Sequence, residues 1–231
     1  MKTLLLALLT TFVCIQTNAQ DKWTSLFDGK TTNGWHTYGK DAVGEAWQVV
    51  DGAIVLNPLN KESSQLKGGG DIVSNESFND FHLQLEWKIS KNGNSGIIFF
   101  VQDEPKKYDH IWYTGPEMQV LDNDGHPDAK IYMHRAGNLY DLVAGVEGAT
   151  KPVGDWNLVD IINEKGTLTL KLNGITTVTT TLGDANWTKL IKNSKFSKGE
   201  SPDFGKVFSG HIGLQDHGNQ VSFRNIRIQK L

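Results

Sequence analysis

Cysteine is nearly missing from this sequence. Cys14 is the only one in 231 residues, and it lies in an apolar stretch near the N-terminus. The rest of the chain therefore has no disulfide framework, no thiolate nucleophile and no cysteine-built metal site. Net charge is small as well, −3 with a pI of about 6.2, and no basic run or stripe occurs. Lys189 to Lys198 is locally basic, but Glu200 and Asp203 dilute it. Nucleic acid and membrane surfaces are thus not expected partners. Apolar residues at helical spacing are scarce: only Asn186 to Ser194, with Trp187, Leu190 and Ile191, has the pattern for a turn or two. There is no glycine-rich phosphate loop and no serine nucleophile elbow. Gly93-Asn94-Ser95-Gly96 is too short and opens a strand, so it reads as a turn whose Asn94 and Ser95 are candidates to face a cleft.

The N-terminus has the anatomy of a leader. Lys2 precedes the apolar run Leu4 to Ile15, and Thr17-Asn18-Ala19 places small residues at a cut after Ala19. The run is too short to span a bilayer comfortably. Bulky Thr11-Phe12-Val13 before Cys14 is unsuited to a lipid-anchored alternative. Residues 1–19 are predicted to be a signal peptide and 20–231 a single exported domain, periplasmic or extracellular. Without crosslinks, that domain depends on its core.

Strands dominate what is present. Phe81 to Ile89 alternates apolar at odd positions and polar at even ones, as a half-buried strand does. Ile97-Ile98-Phe99-Phe100-Val101 is apolar on both sides, as expected of a strand buried on two faces. Asn157 to Ile162, Thr167 to Leu172 and Thr176 to Leu182 are rich in β-branched residues. Asn173-Gly174, and Asp51-Gly52 between Trp47–Val50 and Ala53–Leu56, are two-residue hairpin signals because both positions tolerate positive φ. A dozen or so short strands without a linker predict an all-β sandwich. Lys67 to Asp71 reads as a flexible loop within it.

Two strands carry unusual polar faces. In His211-Ile212-Gly213-Leu214-Gln215-Asp216-His217-Gly218, the apolar residues alternate with His211, Gly213, Gln215 and then His217. In Glu117-Met118-Gln119-Val120-Leu121-Asp122, Glu117 and Gln119 share one face. Asp122 either opens the turn Asp122-Asn123-Asp124-Gly125 or is brought round by a β-bulge to form a carboxyl pair with Glu117. Such a pair suits acid/base work on a glycoside. His217 suits a base, a metal ligand or a sugar hydrogen-bonder. Arg224 lies on the following strand, and His211 reads as structural. Asp122 to Asp128 has the look of a calcium loop but lacks its terminal glutamate, so a surface turn is expected. No cofactor is certain. A divalent ion would draw on His126, His134, Glu117 and His217, with Asp122 and His134 as the metal candidates. Trp112, beside Tyr108 and Tyr113, is a candidate stacking platform for a sugar, whereas Trp87 and Trp156 read as core.

The segments SLFDGKTTNGWH (25–36), FHLQLEWKISKNGNSGIIFFVQ (81–102), PEMQVLD (116–122), DWNLVDIINEKGTLTLKLNG (155–174) and GHIGLQDHGNQVSFRNIRI (210–228) together resemble the 3-keto-disaccharide hydrolase domains. The resemblance covers nearly the whole of 20–231. It implies a concanavalin A-like jelly-roll sandwich of two antiparallel sheets, acting on an oligosaccharide or glycoside already oxidised at C3 by a separate sugar 3-dehydrogenase. A C3 ketone acidifies the C2 hydrogen, so a base can remove it and the C1 substituent can leave, with water adding afterwards. By similarity Glu117 and His217 take the acid/base roles and Gln119 and Gln215 orient sugar hydroxyls, with Asn94 of the turn a further candidate contact. Arg224 or a divalent ion would stabilise the enolate. Two other readings stay open. A direct two-carboxylate glycosidase is one: the spacing Glu117-x-Gln119-x-x-Asp122 parallels the Glu-x-Asp-x-x-Glu active strand of glucanases, although glutamine replaces the middle aspartate and aspartate the last glutamate, departures that weigh against retaining hydrolysis of an unoxidised glycoside. A non-catalytic carbohydrate-binding module is the third reading.

Overall fold

Three tight turns set the register of five strands. Asp51-Gly52, Lys165-Gly166 and Asn173-Gly174 all take positive φ at both residues, the geometry that lets two strands fold back with their natural twist. These turns belong to a computed structural model that describes residues 23–58, 68–199 and 201–231. The predicted leader, 1–19, lies outside the described residues.

In chain order the strands are β1 (Thr24–Ser25), β2 (Trp35–Thr37), β3 (Trp47–Val50), β4 (Ala53–Leu56), β5 (Ile72–Phe78), β6 (Phe81–Ile89), β7 (Asn94–Val101) and β8 (Glu117–Leu121). There follow β9 (Asn157–Glu164), β10 (Thr167–Leu172), β11 (Ile175–Thr181), helix α1 (Ala185–Asn193), β12 (Gly210–Leu214) and β13 (Val221–Lys230). One sheet runs β11-β10-β9-β6-β13-β4-β3, with β1 beside the C-terminal half of β13; the other runs β2-β5-β12-β7-β8. Every pairing is antiparallel. The two sheets form the expected sandwich.

The core lies between them. Phe81, Leu83, Leu85, Trp87 and Ile89 of β6 point inward while the even positions stay partly exposed, so the alternation in the sequence is the alternation in space. They meet Ile72 of β5, Ile97 and Phe99 of β7, Met118 and Val120 of β8, and Ile212 and Leu214 of β12. Strand β7 is buried on both faces, as predicted. It breaks period at Phe100, whose φ is +62°. Phe99 and Phe100 both enter the core, and Val101 joins Ile98 on the outer face. The neighbouring strand accommodates this with a register shift between His211 and Gly213, the signature of a bulge. Helix α1 is capped by Asp184, whose carboxylate accepts the Trp187 N–H at 2.6 Å. Among the described residues no helix is long and apolar enough to cross a membrane.

Candidate active site

The outer face of the five-stranded sheet is where the two polar strands meet. Strand β12 pairs Leu214 with Ile97 and Gly213 with Ile98 of β7, and β7 pairs Gly96 with Gln119 and Ile98 with Glu117 of β8. The Gln215 N–H donates to the Gly96 carbonyl at 3.0 Å, extending the pairing by one residue. One row across the face is therefore Gln215, Gly96, Gln119, and the next is Gly213, Ile98, Glu117. The two segments converge because β7 runs between them. The two glycines open space. A Cβ on Gly96 would collide with the Glu117 carboxyl, and one on Gly213 would stand 2.8 Å from Ile111 Cδ1. Glutamate and isoleucine thus lie over strands that offer no side chain there.

Half of this face is apolar. Val73, Ile98, Val101 and Ile111 form a small buried cluster, with Tyr38 and Trp112 packed against it. Trp112 is only partly buried and stacks on His110 at 4.1 Å. The other half is polar. Glu117 is 6 % exposed and makes no side-chain hydrogen bond among the described residues. Loss of water, which disfavours the charged form, pushes its carboxyl up to about 8; nearby Lys195 opposes this, while Asp71 and Asp128 reinforce it. Glu117 is therefore predominantly a neutral acid at pH 7. Gln119 is buried, and its Oε1 accepts the Val120 N–H at 3.0 Å. Asn94 sits at the start of β7, with Oδ1 buried and without a hydrogen-bond partner among the described residues.

His217 follows β12 on an exposed turn. Desolvation by its neighbours, then His126, lowers its pKa below the usual 6.5. Its ring lies 6.1 Å from that of His126, and the same Asp128 charge acts on both His217 and Glu117. At neutral pH the imidazole is uncharged. The turn that carries it is clamped: the Asp216 carboxylate accepts the N–H groups of Gly70 and Gly218, both at 2.8 Å, and the Asp216 N–H donates to Asp71 Oδ1 at 2.9 Å.

Several residues that the sequence did not single out build this environment. Asp128 accepts from Tyr140 Oη at 3.2 Å and pairs with His134 at 2.8 Å. Lys195 donates to Tyr140 Oη and lies over its ring. Burial, then Asp128, pushes the Tyr140 hydroxyl well above its ordinary range. Asp71 belongs to the stretch read as a flexible loop, yet it is buried beside the site. Only strand register identifies such residues, since they come from distant loops.

Three expectations, for His134, Arg224 and Trp156, need correction, and the open choice for Asp122 falls to the turn. Asp122 does not join Glu117. The pairing of β7 with β8 is regular through Leu121, so no bulge turns Asp122 round. Its carboxylate instead accepts the N–H groups of Asn92, Asp124 and Gly125 at 2.7–3.1 Å, which is a turn-capping role. His134 is not placed as a metal ligand, because its two nitrogens bond Asp128 and Asp141 at 2.8 and 2.9 Å. No group of three or more ligand-type side chains among the described residues is arranged around a metal position. Arg224 is on the opposite surface. Strand β13 belongs to the other sheet, and Arg224 there grips Glu86 and stacks on Trp156 at 4.0 Å. Trp156 is consequently a surface ring rather than core, while Trp87 is core as expected. His211 is structural, bonded to the Ser74 carbonyl at 2.7 Å.

Comparison with known proteins agrees with this architecture. Residues 22–229 match the model of the 3-keto-alpha-glucoside-1,2-lyase-like domain. The chain belongs to that family. A 3-keto-disaccharide hydrolase from Bacteroides thetaiotaomicron is 39 % identical over 229 residues, covering 91 % of this chain and 79 % of the relative. A Parabacteroides distasonis protein provisionally classed as a glycosyl hydrolase superposes with a TM-score of 0.80 at 30 % identity, covering 90 % of this chain and 94 % of that one. A lichenase from a mouse hindgut metagenome is 11 % identical with a TM-score of 0.50, covering 90 % of this chain and 98 % of that one, and shares the jelly-roll fold alone. Family membership places the chain among carbohydrate-active hydrolases.

Proposed function

We propose that this protein cleaves 3-keto-glycosides at C1 by eliminating across C1 and C2 and then adding water. The observation that carries the proposal is the shared outer face on which β7 brings the Glu117 strand alongside the strand that leads into His217; there burial raises the Glu117 carboxyl, desolvation lowers the His217 imidazole, and the Asp128 charge acts on both. In this scheme His217 removes the C2 proton, which the C3 ketone has acidified. The C2–H electron pair forms the C1=C2 bond as the C1–O bond breaks, and Glu117 gives its proton to the departing oxygen. Water then adds to C1, with Glu117 as base, and His217 returns a proton to C2. Elimination alone is a lyase reaction, and elimination plus hydration is a hydrolysis. The family description and the name of the Bacteroides relative therefore fit one sequence of steps. Gln119, Gln215 and Asn94 supply polar contacts, and Trp112 with the apolar cluster receives the C–H face of the sugar. A C3-oxidising dehydrogenase must supply the substrate, and the predicted leader fits a site of action outside the cytoplasm.

The placement of Asp122 disfavours a direct two-carboxylate mechanism. Incubating the protein in D₂O with a chromogenic glucoside and with its 3-keto form tests the scheme. Release from the keto form alone, with deuterium at C2, is expected. Release from the unoxidised glucoside would refute it, as would binding without turnover, the behaviour of a carbohydrate-binding module.

A further inference from the structure

The reaction proposed above needs a third group. When the C2 proton leaves, negative charge spreads onto the C3 oxygen, and a donor placed there lowers the barrier. Arg224 is on the far side of the sandwich. Lys195 lies over the Tyr140 ring and donates to its hydroxyl, and Glu117 serves the leaving group. We infer that Asp71 fills this role, donating a hydrogen bond from a neutral carboxyl to the C3 oxygen as it becomes an enolate; the inference rests on the elimination.

The placement follows from register. Leu214 pairs with Ile72 at the start of β5, so one residue further Gln215 stands beside Asp71. Ile72 enters the core, and the alternation of side chains turns Asp71 to the outer face. Its row across the sheet reads Asp71, Gln215, Gly96, Gln119, next to the row that holds Glu117, and its charge reaches Glu117. Asp71 is 6 % exposed. Oδ1 accepts the Asp216 N–H, so the acid proton belongs on Oδ2, which has no hydrogen-bond partner among the described residues. Burial raises this carboxyl to about 7; the Asp216 N–H opposes the rise and the Asp216 carboxylate adds to it. A carboxylic acid kept neutral by an apolar, like-charged setting is an established way to hydrogen-bond an enolate. The proton stays on Asp71 throughout: the C3 oxygen gains charge as C2 is deprotonated and loses it again as the C1–O bond breaks. Among the described residues, the titratable groups coupled to Asp71 are Asp216 on the turn after β12, by a hydrogen bond and by charge, and Glu117 on β8, by charge. Beyond β2, Tyr38 follows, its hydroxyl donating to the Tyr108 carbonyl.

The test compares wild type, D71N and D71A on a 3-keto-glucoside, with circular dichroism to establish folding. Asparagine keeps an acceptor for the Asp216 N–H and offers an N–H donor in place of the acid. We expect D71N to retain kcat within roughly tenfold and D71A to lose about 10²–10³-fold, the usual effect of removing an oxyanion donor. The alkaline fall in rate should move from near 7 in wild type to near 8 in D71N, where Glu117 governs it. If Asp71 only clamps the His217 turn, D71N and wild type share one alkaline limb, and the inference fails. It also fails if D71N is as inactive as D71A, or if D71A is as fast as an active wild type. A wild type inert toward the keto-glucoside overturns the elimination itself and this inference with it.

Discussion

Glu117→Gln should make the protein more stable and less active, and the stability gain should grow with pH. Burial raises the Glu117 carboxyl from 4.5 to about 8, so between these values the folded state holds a proton that the unfolded state has released. Stability then falls as pH rises through that window, because the unfolded chain binds fewer protons than the native one. Each pH unit corresponds to about 1.4 kcal/mol, so ionising this side chain in place costs on the order of 5 kcal/mol by pH 8.5. Glutamine resembles the neutral acid in size and cannot ionise. The variant should match wild type near pH 4.5 and exceed it increasingly above, up to roughly 10–15 °C in Tm for a chain of this length. Asp71, present in both proteins, largely cancels in the difference. The assay is urea unfolding of both proteins at pH 4.5, 6, 7.5 and 8.5, alongside turnover of a 3-keto-glucoside, where removing the proton donor should cost about 10²–10⁴-fold. A stability gap that does not change with pH would refute the reasoning that Glu117 is buried as an acid.

Gly96→Ala places a methyl where the Glu117 carboxyl lies, and kcat should fall about 10–100-fold with native circular dichroism; an unchanged kcat would show that the carboxyl does not act from that position. Arg224→Ala should leave kcat and KM unchanged and lower stability by about 1 kcal/mol, since the pair with Glu86 is partly exposed; a hundredfold loss of kcat would contradict its place on the far surface. His134→Ala leaves Asp128 and Asp141 each short of a hydrogen-bond partner, so urea unfolding should show a loss of about 2 kcal/mol; an equally stable variant would remove the structural role.

The all-β character, the strand of Phe81–Ile89, the doubly buried Ile97–Val101 and two of the hairpin turns are local properties. Period-two alternation and residues that tolerate positive φ specify them without reference to any distant residue. The shared face of Glu117 and Gln119 and that of Gly213 and Gln215 were legible for the same reason. Tertiary structure alone decided which faces look at each other. Strands β12 and β13 adjoin in sequence but lie in opposite sheets, so Arg224, read as a neighbour of His217, stands on the far side of the core. Asp71, in an apparent loop, enters the site because β5 pairs with β12, and Asp128, Tyr140 and Lys195 arrive from connections whose paths no local pattern encodes. Side-chain direction along a strand is a matter of backbone sterics over two residues, whereas strand pairing and burial depend on the whole chain. The protonation of Glu117, on which the chemistry turns, is a consequence of that burial.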